Sequence, residues 1–414
     1  MRNVKKLLAL IITLSLVLSL GVNVIAAGGK IENLSASLNG NKVTVSGTLT
    51  EPAVGTVSTS VYAEVLNGEK VLGASTFLID SNGAFSGDVD IVSSSLNLNT
   101  ELTVRVADYD GGTWYTTTTN KPLAVVGGYR LRLDGYLGLE YCIAMDNSLS
   151  SNADTTVTFK MDSSFAKLKE QAVKIDPSNT FTYKNTTYYI FVCDVVVTEM
   201  PNSISATLTS GETEVQFDAY TVRDYLNSLV DNYPAEKDIA QSMLNYGYYA
   251  QLKFGPTDHL YEEDQISPLT GPDYDSPNIG EMPSGVEYTG SSVVFLSGNK
   301  IKHYFKFSGD ADEYSFKIVE KGVEKDIEKV SAGNDEYSIS TVELSADRLN
   351  ENIAVRIYHS GTMIKEFTYS AMNYARAVTD SGNTSREMKD LACAFAMFYK
   401  AADAYKHPAN NTGN

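Results

Sequence analysis

Four histidines, three cysteines, a scatter of carboxylates and a surplus of tyrosine are the raw material for chemistry in this 414-residue chain. His259, His303, His359 and His407 are dispersed, and no HExxH, CxxC or same-face His pair sets them at zinc-ligand spacing. Cys142 and Cys193 lie in strand-like apolar runs and Cys393 in an apolar helix. Three such residues are too few for a disulfide framework. A Cys142–Cys193 bridge between neighbouring strands stays open beside the alternative of buried free thiols. Gly-x-Ser-x-Gly, the P-loop and the dinucleotide-binding glycine pattern are all missing, so acyl transfer and nucleotide chemistry have no motif to rest on. The expectation is no cofactor and no metal.

Paired carboxylates are harder to judge, because a glycosidase needs only two across a cleft and sequence spacing does not reveal that. Asp134, Glu140 and Asp146 surround one strand, and Asp218 and Asp224 lie near a helix start. Asp224 reads as part of a capping box with Thr221. Asp80-Ser81-Asn82, Asp108-Tyr109-Asp110, Asp273-Tyr274-Asp275 and Asp310-Ala311-Asp312 offer oxygen atoms of the kind calcium takes, yet none completes an EF-hand loop, and Asp and Asn are ordinary turn residues.

Tyrosine is the outlier, with 26 residues against a single tryptophan. Exposed aromatic rings on a β-sheet stack on sugars or anchor protein interfaces. The candidate ligand-binding residues are therefore Trp114 and Tyr115, beside Gly111-Gly112, and Tyr246, Tyr248 and Tyr249.

The elements that must position these residues include a duplication. Tyr220-Thr221-Val222-Arg223-Asp224-Tyr225 returns as Tyr369-Ser370-Ala371-Met372-Asn373-Tyr374. Each copy follows an aromatic-bearing strand and precedes a second helix, Ala235–Phe254 or Thr384–Tyr405. Thr221, Asp224 and Ser370 read as helix-capping residues, and Asn373 caps as Asp224 does but has no basic carboxylate. Tyr220, Tyr225, Tyr369 and Tyr374 read as the structural core of the repeat, seating the helices on their sheets. Farther along, Met397-Phe398-Tyr399-Lys400 stands in place of Leu244-Asn245-Tyr246-Gly247, and no Gln matches Gln251.

The chain divides into residues 1–27, 30–126, 127–255, 256–285, 286–407 and 408–414. In the first, Arg2, Lys5 and Lys6 precede an apolar run, Leu7 to Leu20, and a small-residue exit at Ala26-Ala27, as in a secretory signal peptide. Residues 30–126 carry short alternating strands over Lys42–Leu49, Val57–Val65, Val71–Ile79, Ala84–Ile91, Glu101–Ala107 and Thr113–Thr119. Asn39-Gly40, Asn67-Gly68 and Asn82-Gly83 supply turns between them. Residues 127–255 and 286–407 are the two β-rich repeat units, each ending in a helix pair. A Pro-rich acidic linker, 256–285, separates them, and 408–414 is a polar tail.

The fold class that follows is mainly β with α+β repeats: an Ig-like β-sandwich, then two related sandwich-like units. Residues 30–126 resemble the Ig-like modules of bacterial surface and secreted proteins. The Tyr-[Ser/Thr]-x-x-[Asp/Asn]-Tyr core, with Met243-Leu244-Asn245-Tyr246-Gly247-Tyr248-Tyr249-Ala250-Gln251, resembles a repeat of modular secreted proteins from clostridial gut bacteria. That resemblance implies an accessory module found with Ig-like or carbohydrate-active domains.

A formal net charge of −18 argues against nucleic acid and anionic membrane surfaces, which need basic patches. No apolar stretch after the leader is long enough to span a membrane, so the expected location is secreted, extracellular or non-covalently surface-associated. The function expected is non-enzymatic, adhesin-like binding or scaffolding by a Gram-positive bacterium, with host protein or glycan as partner. Two alternatives are a carbohydrate-binding accessory protein for polysaccharide degradation and a hydrolase with cryptic paired carboxylates.

Overall fold

A computed structural model describes residues 29–51, 59–92, 96–108, 113–133, 137–255, 260, 266–295 and 298–407. The leader, Tyr109 to Gly112, Asp134, His259, the run Glu262-Glu263-Asp264 and the tail fall outside the described residues. The chain forms two compact units, one ending at Leu123 and one beginning at Ala124.

The first unit has strands β1 (Lys30–Asn39), β2 (Lys42–Glu51), β3 (Ser60–Asn67), β4 (Lys70–Leu78), β5 (Ala84–Asp90), β6 (Thr103–Asp108) and β7 (Tyr115–Thr118). They form antiparallel sheets of order β1-β2-β5 and β4-β3-β6-β7. Alternation sets this up: Val43, Val45 and Leu49 of β2 and Val61, Ala63 and Val65 of β3 are buried on the inward faces. Gly83 supplies one turn at φ +78°, where a Cβ would meet the Leu49 carbonyl oxygen at 2.3 Å. Asp80 accepts from the Asn82 and Ala84 amides there, a turn role that occupies its carboxylate.

The second unit contains both repeats. The first has β8 (Ala124–Arg132), β9 (Leu137–Met145), β10 (Thr156–Lys160), β11 (Glu170–Lys174), β12 (Thr180–Tyr183), β13 (Thr186–Val195), β14 (Ser205–Ser210) and β15 (Thr213–Gln216). The second has β16 (Val286–Val294), β17 (Lys300–Phe307), β18 (Tyr314–Glu320), β19 (Val323–Ile327), β20 (Val330–Gly333), β21 (Glu336–Ser340), β22 (Ile353–His359) and β23 (Thr362–Tyr369). Sheet order β8-β9-β13-β12 matches β16-β17-β21-β20, and β11-β10-β14-β15 matches β19-β18-β22-β23. Even the bulge in the first strand recurs, between Val126 and Gly128 and between Tyr288 and Gly290. All three sandwiches share one immunoglobulin-like strand order, the first unit lacking the β12/β20 equivalent among its described residues. The duplication seen in the helix motif therefore extends, at the level of topology, to a third copy.

Each repeat ends in a helix pair: α1 (Val222–Asn232) with α2 (Lys237–Phe254), and α3 (Ala371–Asp380) with α4 (Arg386–Lys406). The Thr221 hydroxyl accepts from the Asp224 amide. Ser370 and Asn373 form a reciprocal capping box. The Tyr220 backbone bridges to Ile204, as Tyr369 pairs with Ile353, which ties the motif to its sheet.

Helices α2 and α4 pack on each other, and one continuous core runs from Ala124 to Ala402. Tyr246 is central to it. Its ring stacks on Phe398 at 5.4 Å and 15°, lies 5.5 Å from Phe395, and its hydroxyl donates to the Phe295 carbonyl. The segment expected as a linker is irregular where described, but it is held down. Asn245 of α2 exchanges two hydrogen bonds with the Ser267 backbone, and Ile266, Tyr274, Ile279 and Met282 pack against the core.

Packing also corrects the alignment of the long helices by one position. Lys237-Asp238-Ile239-Ala240 matches Lys389-Asp390-Leu391-Ala392, and the buried positions then coincide: Met243 with Phe395, Tyr246 with Phe398, Ala250 with Ala402. Tyr246 and its repeat equivalent thus stack directly on one another.

Candidate functional site

In the first unit, β3, β6 and the residues entering β7 present an outward face. Side chains alternate along a strand, so Tyr62 and Glu64 of β3 share that face with Arg105 of β6. The Arg105 Nε donates to Glu64 at 2.6 Å, and the Tyr62 hydroxyl donates to the other Glu64 oxygen at 3.2 Å. Trp114 joins them, 41% exposed, with the Arg105 guanidinium 4.6 Å from its ring centre and Tyr62 at 6.1 Å and 60°. Burial and the adjacent Glu64 carboxylate raise the Tyr62 pKa, keeping its hydroxyl a donor across the physiological range.

Tyr115 does not belong to this patch. It is registered opposite Val106, whose side chain is buried on the inward face, and one step along a strand reverses the direction of a side chain. Arg105, Glu64 and Tyr62 are the residues that sequence reading passed over. Their trace was there, as polar residues at alternate positions of two apolar strands.

The other aromatic candidates separate. Tyr246 is buried between the repeats and is unavailable to a ligand. Tyr248 and Tyr249 are half-buried and meet edge-on at 88°, packed against the core, so they form no flat platform. Tyr220 stacks on Tyr129 at 4.1 Å and 11°. Tyr369 is buried and pairs its hydroxyl with Ser291 at 2.6 Å. Tyr225 and Tyr374 are packed against the same core, and burial pushes Tyr374 up to about 12.

Two of the candidate carboxylates have structural partners. Glu140 pairs with Arg130 at 3.0 Å, and Asp146 accepts from Ser148 at the start of a short helix. Asp224 occupies the first turn of α1. Among the described residues no three His, Cys, Asp or Glu side chains gather as a metal set. The cysteines are free. Cys142 is registered opposite Ile190 and Cys193 opposite Leu139, three positions from Cys142, so the two thiols point to opposite faces of their sheet and cannot be bridged. Burial raises Cys142 to about 11 and Cys193 to about 12, which leaves both protonated and inert. Between the repeats, Tyr246, Phe398, Met243 and Met200 line an apolar void of about 40 Å³, too small for a ligand beyond a water.

No protein-family model and no curated protein sequence matches the chain. Among solved structures, a three-Ig fragment of titin aligns over 83% of this chain and 98% of its own, at 7% identity and a TM-score of 0.17. The tandem Ig repeats of Dlar align over 47% of this chain and 97% of theirs, at 9% identity and a TM-score of 0.18. Such TM-scores carry no argument, and the Ig-like assignment rests on the strand order. The class defined by fold is a tandem array of Ig-like sandwiches. No described helix is long and apolar enough to cross a membrane.

Proposed function

We propose that this protein is an exported, non-enzymatic binding and scaffold protein of a Gram-positive bacterium that engages an extracellular protein through the outward face of β3, β6 and Trp114. The observation that carries the reading is the Trp114 side chain, exposed yet fixed by Arg105 and flanked by Tyr62 and Glu64. A central aromatic with an arginine and a polar rim is the anatomy of an interface hot spot. A sugar-stacking platform needs a free ring face and coplanar neighbours, whereas Arg105 covers one face of Trp114 and Tyr62 is tilted against it. The structural partners of Glu140 and Asp146 favour a non-catalytic reading, and the leader sequence favours export to the bacterial surface or beyond it.

The test is capture by immobilised residues 28–414 from a panel of extracellular proteins and a glycan array, with mass spectrometry of what is retained. Saturable protein capture, weakened about 30-fold by Trp114→Ala, is the expected result for a hot-spot side chain worth about 2 kcal/mol. Retention of polysaccharide alone, or protein capture indifferent to Trp114→Ala, would contradict the reading.

A further inference from the structure

The segment between the repeats forms one wall of a polar cleft of about 530 Å³ on the second repeat. The wall is pinned from α3: the Asn373 amide donates to the Asp275 carbonyl at 2.8 Å, and Arg376 Nη1 donates to the Pro272 carbonyl at 3.1 Å. Tyr274 is anchored edge-on to Tyr399 of α4 at 5.9 Å. Asn350 and Asn352, at the entry to β22, form the facing wall.

We propose that this cleft is a saccharide-binding site, taking a neutral hexose unit at the end of a glycan. Three features carry the inference. The first is pre-organisation, since the wall is fixed by side-chain bonds to its backbone before any ligand arrives. Its volume lies in the range of small-molecule sites, about 300–1,000 Å³.

The second is the set of uncommitted polar groups. The side chains of Asp273, Asp275 and Asn352 line the cleft and make no hydrogen bond with the described residues. Arg376 has committed Nε to Asp380 and Nη1 to Pro272, leaving Nη2 available. Carboxylates accept, the guanidinium donates, and an amide does both, which matches vicinal hydroxyls that each donate and accept. Two carboxylates disfavour an anion, the guanidinium disfavours a bare cation, and a lining so polar disfavours an acyl chain.

The third is the comparison with the first repeat. Its corner is tied down by the same backbone bond, the Arg223 amide to the Met200 carbonyl matching the Met372 amide to the Leu349 carbonyl. At the positions of Asn350, Asn352, Asn373 and Arg376, however, it carries Pro201, Ser203, Asp224 and Asn227. The first repeat keeps polar side chains at three of these four positions but has no guanidinium among them, so the cationic donor of Arg376 is particular to the second repeat. This site is independent of Trp114, and its ligand class differs from the protein partner proposed for that face.

The experiment is saturation-transfer-difference NMR of residues 28–414 with the methyl glycosides of glucose, galactose, mannose and N-acetylglucosamine. At least one is expected to bind saturably, with affinity reduced tenfold or more by Asp273→Ala with Asn352→Ala and unchanged by Trp114→Ala. Both substituted side chains are exposed, and an unchanged melting temperature verifies that the loss is local. Should the double variant melt early, Asp273→Asn is read in its place with the same expectation. Absence of saturable binding by all four glycosides, or binding retained by these variants, overturns the proposal.

Discussion

In the first repeat the corner between β13 and β14 is held by an acid, and in the second the matching corner between β21 and β22 is held by a base. Glu199 is buried and accepts from the Ser163 hydroxyl and from the Ser164 amide and hydroxyl, all within 2.7 Å. Arg348, at the same place, donates to Glu320 and Glu351 at 2.6 Å, and Lys325 supports Glu320 from the other side. Both staples join that corner to the C-terminal end of the third strand of the sandwich, Ser163 and Ser164 lying just beyond β10 and Glu320 closing β18. The same exchange recurs deeper in the fold. Tyr141 and His303 occupy matching core positions, four residues beyond the partners of Val195 and Leu344. A Tyr129–Tyr220 stack is replaced by a Ser291–Tyr369 hydrogen bond.

Backbone relations have been kept while the side chains that enforce them have been exchanged. A staple needs only complementary partners, and either polarity satisfies buried groups equally well. Conversely, a polar side chain that holds nothing together, such as Asn352, stands out beside the smaller Ser203 at the same position of the first repeat.

The comparison can be broken most forcefully at the stacked pair. Tyr246→Ala and Phe398→Ala should each cost about 3–5 kcal/mol, read by urea unfolding. A neutral result at either position would end the claim that they are equivalent. Next come the staples. Glu199→Ala strands the Ser163 and Ser164 donors and should cost about 3 kcal/mol, whereas Arg348→Ala leaves Glu320 paired with Lys325 and should cost about 1–2 kcal/mol. Equal losses would show that burial, not partner count, sets the difference. Lys325 and Arg348 also hold the Glu320 carboxyl below its usual value. Its contribution is therefore present above the ordinary glutamate range and lost as pH falls through the lowered value.

His303 makes a sharper pH test. Burial lowers it to about 3, with Tyr288 3.1 Å from Nδ1, the Tyr369 and Phe367 rings edge-on, and no partner for Nε2 among the described residues. The unfolded chain takes up a proton below about pH 6.5 while the folded chain refuses it down to about 3. Stability should thus fall by about 1.4 kcal/mol per pH unit across that window. His303→Tyr, which installs the residue of the first repeat, should remove that slope in urea titrations at pH 7, 6 and 5. The caps are the smallest effect: Thr221→Ala and Ser370→Ala should each lower stability by about 1 kcal/mol, the second more because its box is reciprocal.

Legibility in the sequence followed burial. Strands with two neighbours, such as β2, β9 and β18, alternate cleanly and could be read from pattern. In the first unit the strand that escaped is β1, which lies at the edge of its sheet. Val323-Glu324-Lys325-Asp326-Ile327 of β19 is almost wholly exposed, and its charges guard an unpaired edge rather than mark a core face. The helix motif was legible because caps act within one turn. Tyr246 was not, since the ring that covers it comes from the other repeat. Trp114 was visible by rarity, but its separation from Tyr115 depends on strand phase. The polar cleft was hidden because its walls are far apart in sequence.

Whether the repeats form one body is best decided by differential scanning calorimetry of residues 28–414. The structure predicts two transitions, one for the Ig-like unit and one for the fused repeats, with Tyr246→Ala shifting the second as a whole. Three transitions, or a Tyr246→Ala shift confined to one repeat, would contradict it.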